Sequence, residues 1–181
     1  MEKYEWTGEL EAFCLTIAVG AQRAAVERAF RIIPESRTLT AVAQFWETVG
    51  QDAQGGSDVV QIDPFGGSII AFEGNGWTGA DHYDVKTYSR ITCPVYVSIF
   101  RNINASTSFV LARDGQLVRQ FDPLLYEAHG AIAEETAYAW GLDHPIPSAF
   151  DLAEKLTGIA VTRDWLLGQP HPTYRTQPGN R

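Results

Sequence analysis

The chain has 181 residues, a formal net charge of −8, 45% hydrophobic residues and 20% charged residues. This composition is typical of a globular protein of one domain, because its apolar and aromatic side chains supply the burial that offsets chain entropy. The negative charge argues against nucleic acid as a partner, since phosphate backbones attract basic proteins. No segment approaches the roughly 20 apolar residues of a membrane span, and the polar start is unlike a signal peptide. We therefore expect a cytoplasmic protein with no membrane partner.

The first half of the chain alternates between strand and helix patterns. Large apolar residues alternate with smaller ones over residues 13–19, which predicts a half-buried strand. After Gly20 the apolar period changes to that of an amphipathic helix over residues 21–32. The same signals further along predict helices over residues 39–49 and 79–89 and strands over residues 59–63, 68–72 and 94–100.

The second half contains the strongest local signal in the chain, the dipeptide Asp114-Gly115. It separates two apolar stretches and accepts the positive φ angles of a type I′ turn, so residues 107–121 are predicted to form a hairpin. A short helix is predicted around residues 132–140, another from a cap at Ser148 to a stop at Gly158, and a last one from a cap at Thr162 to residue 167. The proline-rich, polar residues 168–181 are predicted to be a flexible tail.

Together these elements predict one α+β domain over residues 1–167. The hairpin, and an excess of strands over crossover helices, favour an antiparallel or mixed β-sheet of about five to six strands with helices packed mainly on one face. Cys14 and Cys93 each lie in an apolar strand pattern. We expect two buried thiols rather than a disulfide, because disulfides are rare in a reducing cytoplasm.

The segment from Glu73 to Gly79 places an acid, an amide, three glycines and a large aromatic at the end of a predicted strand. Its glycines match the spacing G-x-G-x-x-G. A dinucleotide site also needs an acid about 20 residues further on, which is missing, and Glu73 would repel a pyrophosphate. We therefore expect no nucleotide cofactor. Glu73, Asn75 and Trp77 are candidate binding residues, although we favour a Trp77 that covers the core over one that stacks on a ligand.

Arg101 and Asn104 follow the strand predicted over residues 94–100. A guanidinium beside amides is suited to holding a carboxylate, so both are candidate binding residues. The other interpretation is a turn in which Arg101 pairs with Glu73 or Asp122. We assign no catalytic residue and no metal site, because the histidines lie far apart in the sequence and no nucleophile motif occurs.

Five segments spread over residues 4–167 form a pattern of their own. They are Trp6 followed by residues 12–16, then residues 72–77, 97–104, 109–121 and 152–158. Together they resemble an uncharacterised bacterial family of soluble, single-domain proteins of unknown function. The resemblance implies a cytoplasmic protein and no particular activity.

Two functions are compatible with the sequence. The acidic charge, the aromatic content and the missing catalytic motifs favour a non-enzymatic binding protein, immunity-like or regulatory, that recognises another protein. We expect that partner to be basic, because opposite charges speed association. The alternative is a small enzyme or ligand-binding protein that uses the Glu73–Trp77 turn, with Glu73 as base and Arg101 or Asn104 holding an anionic group. This alternative predicts a concave pocket at the turn and a raised pKa for Glu73.

Overall fold

An antiparallel sheet of eight strands organises the protein. The computed structural model describes residues 3–42, 44, 59–74, 76–80, 86–138, 140–141 and 144–177. The strands are β1 (Phe13–Val19), β2 (Thr38–Thr40), β3 (Val59–Phe65), β4 (Ser68–Glu73), β5 (Val95–Arg101), β6 (Thr107–Arg113), β7 (Gln116–Phe121) and β8 (His171–Arg175). Their spatial order is β2-β8-β3-β4-β1-β5-β6-β7, with every neighbouring pair antiparallel. The α+β class is confirmed, and the sheet is larger than the five to six strands predicted.

Helices cover both faces of the sheet. The described α-helices are α1 (Arg23–Ala29), α2 (Thr87–Arg90), α3 (Pro145–Thr157) and α4 (Arg163–Gly168), and short 3₁₀ helices span Glu5–Glu9, Pro34–Ser36, Thr78–Ala80 and Ala133–Ala137. Phe150 of α3 shares a core with Phe13 of β1, whereas Val26 of α1 shares a second core with Ala18. The prediction of helices mainly on one face is therefore wrong. Within the described part of the chain, no helix is both long and apolar enough to pass through a membrane.

The second helical layer changes the surroundings of β1. Residues 13–18 are all buried, so the predicted strand exists but is buried on both faces rather than half-buried. Its large side chains lie in the core shared with α3. On the other face, Ala18 lies in the core shared with α1, whereas Cys14 and Thr16 lie beneath the loop at Gly79 and Ala80. Small residues on this face let the loop approach the strand closely. The alternation of large and small residues does not by itself show whether the small ones are covered or exposed to water.

Local turn chemistry is confirmed at two hairpins. Asp114 and Gly115 have φ angles of 49° and 76°, as a type I′ turn between β6 and β7 requires. Gly66 and Gly67, with φ angles of 57° and 81°, connect β3 to β4. The predicted strands β1, β3, β4 and β5 all form within a few residues of their expected bounds.

The helix predictions are less accurate. Leu39 lies in β2, not in a helix, whereas Val42 and Gln44 of the same predicted helix are helical. Residues 43 and 45–50 lie outside the described residues. In place of the helix predicted over residues 79–89, the structure has a 3₁₀ turn at Thr78–Ala80 and the short helix α2. Residues 81–85 lie outside the described part. A 3₁₀ helix replaces the one predicted around residues 132–140.

The ends of the last two helices test the capping predictions. α3 begins at Pro145, three residues before the predicted cap. Its stop at Gly158 is confirmed, since that residue has a φ angle of 73°. Thr162 caps α4 as predicted, because its Oγ1 accepts a hydrogen bond from Trp165 N at 3.2 Å.

The predicted tail forms part of the sheet. β8 lies between β2 and β3, beyond the predicted domain boundary at residue 167. His171 is only 1% exposed, with Nδ1 2.9 Å from Asp63 Oδ2 and Nε2 2.8 Å from Trp165 O. The prediction of a flexible segment is wrong for residues 168–177, because these polar side chains find partners far away in the sequence. Residues 178–181 lie outside the described residues.

Both cysteines are free and buried, as predicted. Cys14 lies in β1, and Cys93 precedes β5. Cys93 Sγ donates to the carbonyl of Val95 at 3.4 Å, and burial raises the pKa of this thiol to about 11. Both thiols are therefore part of the packed interior.

Candidate functional site

Glu73 ends β4 and is buried beneath the loop that follows it. Only 1% of its surface is exposed. Its Oε1 accepts a hydrogen bond from Thr78 N at 3.1 Å, and its Oε2 accepts one from Gly79 N at 3.1 Å. The loop thus folds back onto its own acid, and the carboxylate satisfies two backbone donors.

Two glycines of this loop are required by its close packing. A Cβ atom at Gly76 would overlap the carboxylate of Glu73, and one at Gly79 would overlap Thr16 Oγ1 on β1. The glycine spacing that matches a dinucleotide fingerprint is therefore explained by contact within the protein. The loop rests directly on the sheet, and no side chain larger than hydrogen fits at either position.

The surroundings of Glu73 favour protonated groups. Burial raises the pKa of its carboxyl, although the hydrogen bonds from Thr78 and Gly79 oppose this change. Cys14 lies on the same face, with its Sγ 3.4 Å from Ser98 Oγ. Burial, together with the nearby charge of Glu73, raises the pKa of this thiol well above its ordinary value. A thiol that stays protonated is a poor nucleophile. The loop is held on the sheet by the hydrogen bonds that Thr78 N and Gly79 N donate to Glu73.

The other predicted residues of the turn differ in their surroundings. Trp77 is 42% exposed, so much of its ring faces solvent instead of covering the core. Its carbonyl accepts a hydrogen bond from Ala80 N at 3.0 Å, which fixes the backbone of the turn. Asn75 lies outside the described residues. A binding role for these residues stays a prediction.

The strand register places Glu73 and Arg101 on opposite faces of the sheet. Glu73 is directly opposite Cys14 of β1, whereas Arg101 is opposite the neighbouring residue Phe13. Directly opposed residues share a face and successive residues alternate between faces. A single site in which Glu73 acts as base while Arg101 holds an anion is therefore not assembled.

Arg101 instead borders a cleft of about 280 Å³ on the face that carries α3. Leu124, Ile146 and the prolines beside it form apolar walls, and Glu5 and His144 add polar groups. Arg101 is partly buried, and its guanidinium has no hydrogen-bond or ion-pair partner among the described residues. The cleft lining therefore includes a permanent cation that forms no ion pair with the described residues.

Glu5, the acid of the described lining, already has a partner in the cleft. Glu5 Oε1 lies 3.1 Å from His144 Nδ1, and the histidine carries a positive charge only when it is protonated. His144 directly precedes α3 and has a φ angle of 61°, so its backbone is in the left-handed region where the helix begins. The lining thus combines one permanent cation with one paired carboxylate.

Two structured loops form the edge of the cleft. Asn102 Oδ1 accepts hydrogen bonds from Asn104 N and Ser106 N, both at 2.9 Å. Asp122 Oδ1 accepts one from Leu124 N at 2.8 Å and another from the hydroxyl of Thr107. Pairing of Arg101 with Glu73 or Asp122, the alternative interpretation of this turn, is therefore not observed. The side chain of Asn104 is not part of the cleft lining.

These loops also expose the two large apolar side chains that are most accessible within the described residues. Ile103 is 76% exposed and Leu125 is 72% exposed. We refer to this pair as the rim. Sequence analysis identified Arg101, but it missed Glu5, His144 and Leu125, which come from three distant parts of the chain and carry no local signal of a site.

Comparisons with known proteins complete the description. No curated protein and no solved structure matches the chain. The resemblance noted in the sequence is confirmed at the level of the family, because the model of a family of unknown function covers residues 1–171. The chain therefore belongs to the family of unknown function DUF6461.

Proposed function

We propose that this chain is a non-enzymatic binding protein of the bacterial cytoplasm that recognises another protein through the Arg101 cleft and its rim, in an immunity-like or regulatory role. The observation that carries the proposal is the position of Ile103 and Leu125. The two most exposed large apolar side chains of the described residues lie in the two loops that border the same cleft. Apolar groups gathered beside a concavity are typical of interaction sites, whereas single exposed ones need no explanation.

The charge of the protein supports a basic partner. A net charge of −8 produces a field that attracts positively charged proteins and speeds their encounter. Salt screens this attraction, with a Debye length of about 10 Å at 0.1 M ionic strength. Association is therefore expected to weaken as salt is added.

The state of Glu73 counts against the alternative in which the Glu73–Trp77 turn performs catalysis. A general base needs an oxygen within hydrogen-bond reach of a substrate proton. Both oxygens of Glu73 accept backbone hydrogen bonds, and the residue is only 1% exposed. The loop would have to leave the sheet before this carboxylate met a substrate.

Affinity capture with matched variants tests the proposal. The tagged protein is used at low salt to capture partners from a lysate of the source bacterium, and the captured proteins are identified by mass spectrometry. The variant Ile103→Ser/Leu125→Ser removes the rim, and Leu39→Ser removes an apolar side chain that is 62% exposed on β2, at the other edge of the sheet. We expect one basic protein that is retained by wild type and by Leu39→Ser and is lost from the rim variant.

Two outcomes contradict the proposal. Equal capture by wild type and the rim variant would place the interface elsewhere. Absence of any stoichiometric partner would contradict protein recognition itself. Circular dichroism of wild type and the two variants is the control, and we expect unchanged spectra because all three substituted side chains are exposed.

A further inference from the structure

We infer that the cleft at Arg101 is a receptor for a carboxylate group that the partner protein presents. The inference rests on the proposed function, because it names the chemistry by which the same face recognises its partner. Three observations carry it: the cleft itself, the guanidinium of Arg101, which forms no ion pair with the described residues, and the pairing of Glu5 with His144 in the same lining.

Arg101 differs from the other partly buried arginines of the described residues in having no ion-pair partner there. Arg119 lies 3.0 Å from the buried Glu135, and Arg23 lies 2.7 Å from Glu27. Arg101 has no such partner among the described residues, although it is partly removed from water. A guanidinium in this setting gains most from a planar anion, because a carboxylate accepts two parallel N–H bonds from its fork.

The charges of the lining favour a monoanion. Arg101 is the permanent cation of the described lining, and the carboxylate of Glu5 lies in the same cleft. A doubly charged phosphate would meet one cation and be repelled by that acid. A carboxylate, with one negative charge, matches the single guanidinium, and His144 remains paired with Glu5.

The size and walls of the cleft define the rest of the ligand. A volume of about 280 Å³ suits a small group rather than a folded surface. Leu124 and Ile146 form apolar walls, so an apolar side chain next to the carboxylate would be buried there. Ile103 and Leu125 lie outside, where they would contact the rest of the partner segment.

Two parts of a partner protein supply this chemistry, namely its C-terminal carboxylate and the side chain of an Asp or Glu. Both occur in basic proteins, so a local carboxylate anchor is compatible with overall attraction between opposite net charges. Capture of a C-terminal carboxylate is an established mode of peptide recognition.

Titrations followed by ¹H–¹⁵N NMR test the inference with defined probes. The probes are sodium hexanoate, hexanamide, inorganic phosphate and three short alanine–leucine peptides. One peptide has a free C-terminus, one is amidated, and one is amidated and contains an internal glutamate. We expect hexanoate and at least one carboxylate-bearing peptide to shift the amide signals of Ala105 and Thr107, with Kd values on the order of millimolar.

Matched variants show whether Arg101 is responsible. Arg101→Gln is expected to weaken hexanoate binding at least tenfold. Arg113→Gln, which removes an exposed arginine at the end of β6, is expected to leave it unchanged. The inference is overturned if hexanamide shifts the same signals equally, if phosphate binds more tightly than hexanoate, or if Arg101→Gln binds as wild type does.

The same variants separate this inference from the proposed function. If the rim variant loses a captured partner and Arg101→Gln retains it fully, the inference is overturned while protein recognition stands. If hexanoate binds through Arg101 and no protein is captured, the proposed function fails. The inference as stated then fails with it, because the carboxylate would come from a free acid. The two peptides that carry carboxylates distinguish the chain terminus from a side chain.

Discussion

The two faces of the sheet handle charge in opposite ways. On one face, the carboxylate of Glu73 is buried and accepts two backbone hydrogen bonds, and its loop is pressed onto β1 and β5. On the other face, Arg101 borders an open cleft and has no partner among the described residues. Glu73 and Arg101 end β4 and β5, the two strands that flank β1, at the same end of the sheet. Position at a strand end therefore does not decide whether a charged residue stabilises the fold or is available to a ligand.

The difference lies in what the chain supplies after each strand. In the loop after Glu73, two backbone N–H groups donate hydrogen bonds to the carboxylate of Glu73, so this acid stabilises the fold. In the loop after Arg101, the N–H groups of Asn104 and Ser106 donate to the side chain of Asn102. The guanidinium of Arg101 takes no part in these hydrogen bonds. A charged group that local backbone satisfies is structural, and one that the described surroundings leave unsatisfied is a candidate for recognition.

The largest predicted effect comes from removing the internal partner. Glu73→Ala is expected to lower the free energy of unfolding by about 4 kcal/mol, because it leaves the N–H groups of Thr78 and Gly79 without their acceptor and opens a cavity. Glu11→Ala is the control, since Glu11 is an exposed acid that precedes β1. Urea denaturation of both variants measures the difference. A loss no greater than that of the control would mean that the loop is not held by Glu73.

A smaller effect is expected from adding one methyl group beneath the same loop. Gly79→Ala would force a Cβ atom onto Thr16 Oγ1, and overpacking of this kind costs about 3 kcal/mol. Gly168→Ala provides the control, because its Cβ atom would meet only the Cβ of Asp164, at 3.9 Å. Thermal unfolding compares the two proteins. If Gly79→Ala unfolds at the temperature of wild type, the close contact between loop and sheet is not present in solution.

Local chemistry accounts for the parts of this fold that sequence analysis predicted correctly. The hairpin at Asp114-Gly115 depends on φ angles that these two residues accept, and the period of β1 depends only on its own side chains. β8 was missed because its stability depends on distant partners. The side chain of His171 is held by Asp63 and by the carbonyl of Trp165, and nothing within residues 171–175 predicts these contacts.

The candidate site was predictable to a similar degree. The segment that begins at Glu73 was identified as unusual, but its glycines fit the sheet rather than a ligand. Arg101 was a candidate for holding a carboxylate because of its position after a strand, beside an interpretation in which it pairs with Glu73 or Asp122. Its separation from Glu73 follows from strand register, which requires knowing that both strands flank β1. Glu5 and His144 reach the cleft only through tertiary packing.

The pH dependence of stability offers a third way to examine the Glu73 face. Burial raises the pKa of this carboxyl above its ordinary value of 4.5, so the folded state binds the proton more tightly than the unfolded state does. The resulting stabilisation is complete below pH 4.5 and is lost as pH rises through the folded pKa. Glu73→Gln removes this titration. The free energy of unfolding of the variant, relative to wild type, should therefore rise with pH by about 1.4 kcal/mol for each unit of pKa difference.

Urea titrations of wild type and Glu73→Gln at a series of pH values from 4 to 8 measure this difference, because contributions from the other acids cancel. A constant difference across the range would mean that the carboxyl titrates equally in the folded and unfolded states. A difference that falls with pH would mean that the backbone hydrogen bonds outweigh burial.

The smallest predicted effect on stability belongs to Arg101, and it distinguishes recognition from structure most directly. Arg101→Gln is expected to change the free energy of unfolding by less than about 0.5 kcal/mol, because no described partner is lost. Arg119→Gln, in contrast, leaves the buried Glu135 without its cation and should cost about 3 kcal/mol. Urea denaturation of both variants provides the comparison. A loss above 1.5 kcal/mol for Arg101→Gln, on the order of an ordinary destabilising substitution, would show that this arginine belongs to the fold. A substitution that leaves stability unchanged and still abolishes carboxylate binding identifies a residue whose partner lies outside the chain.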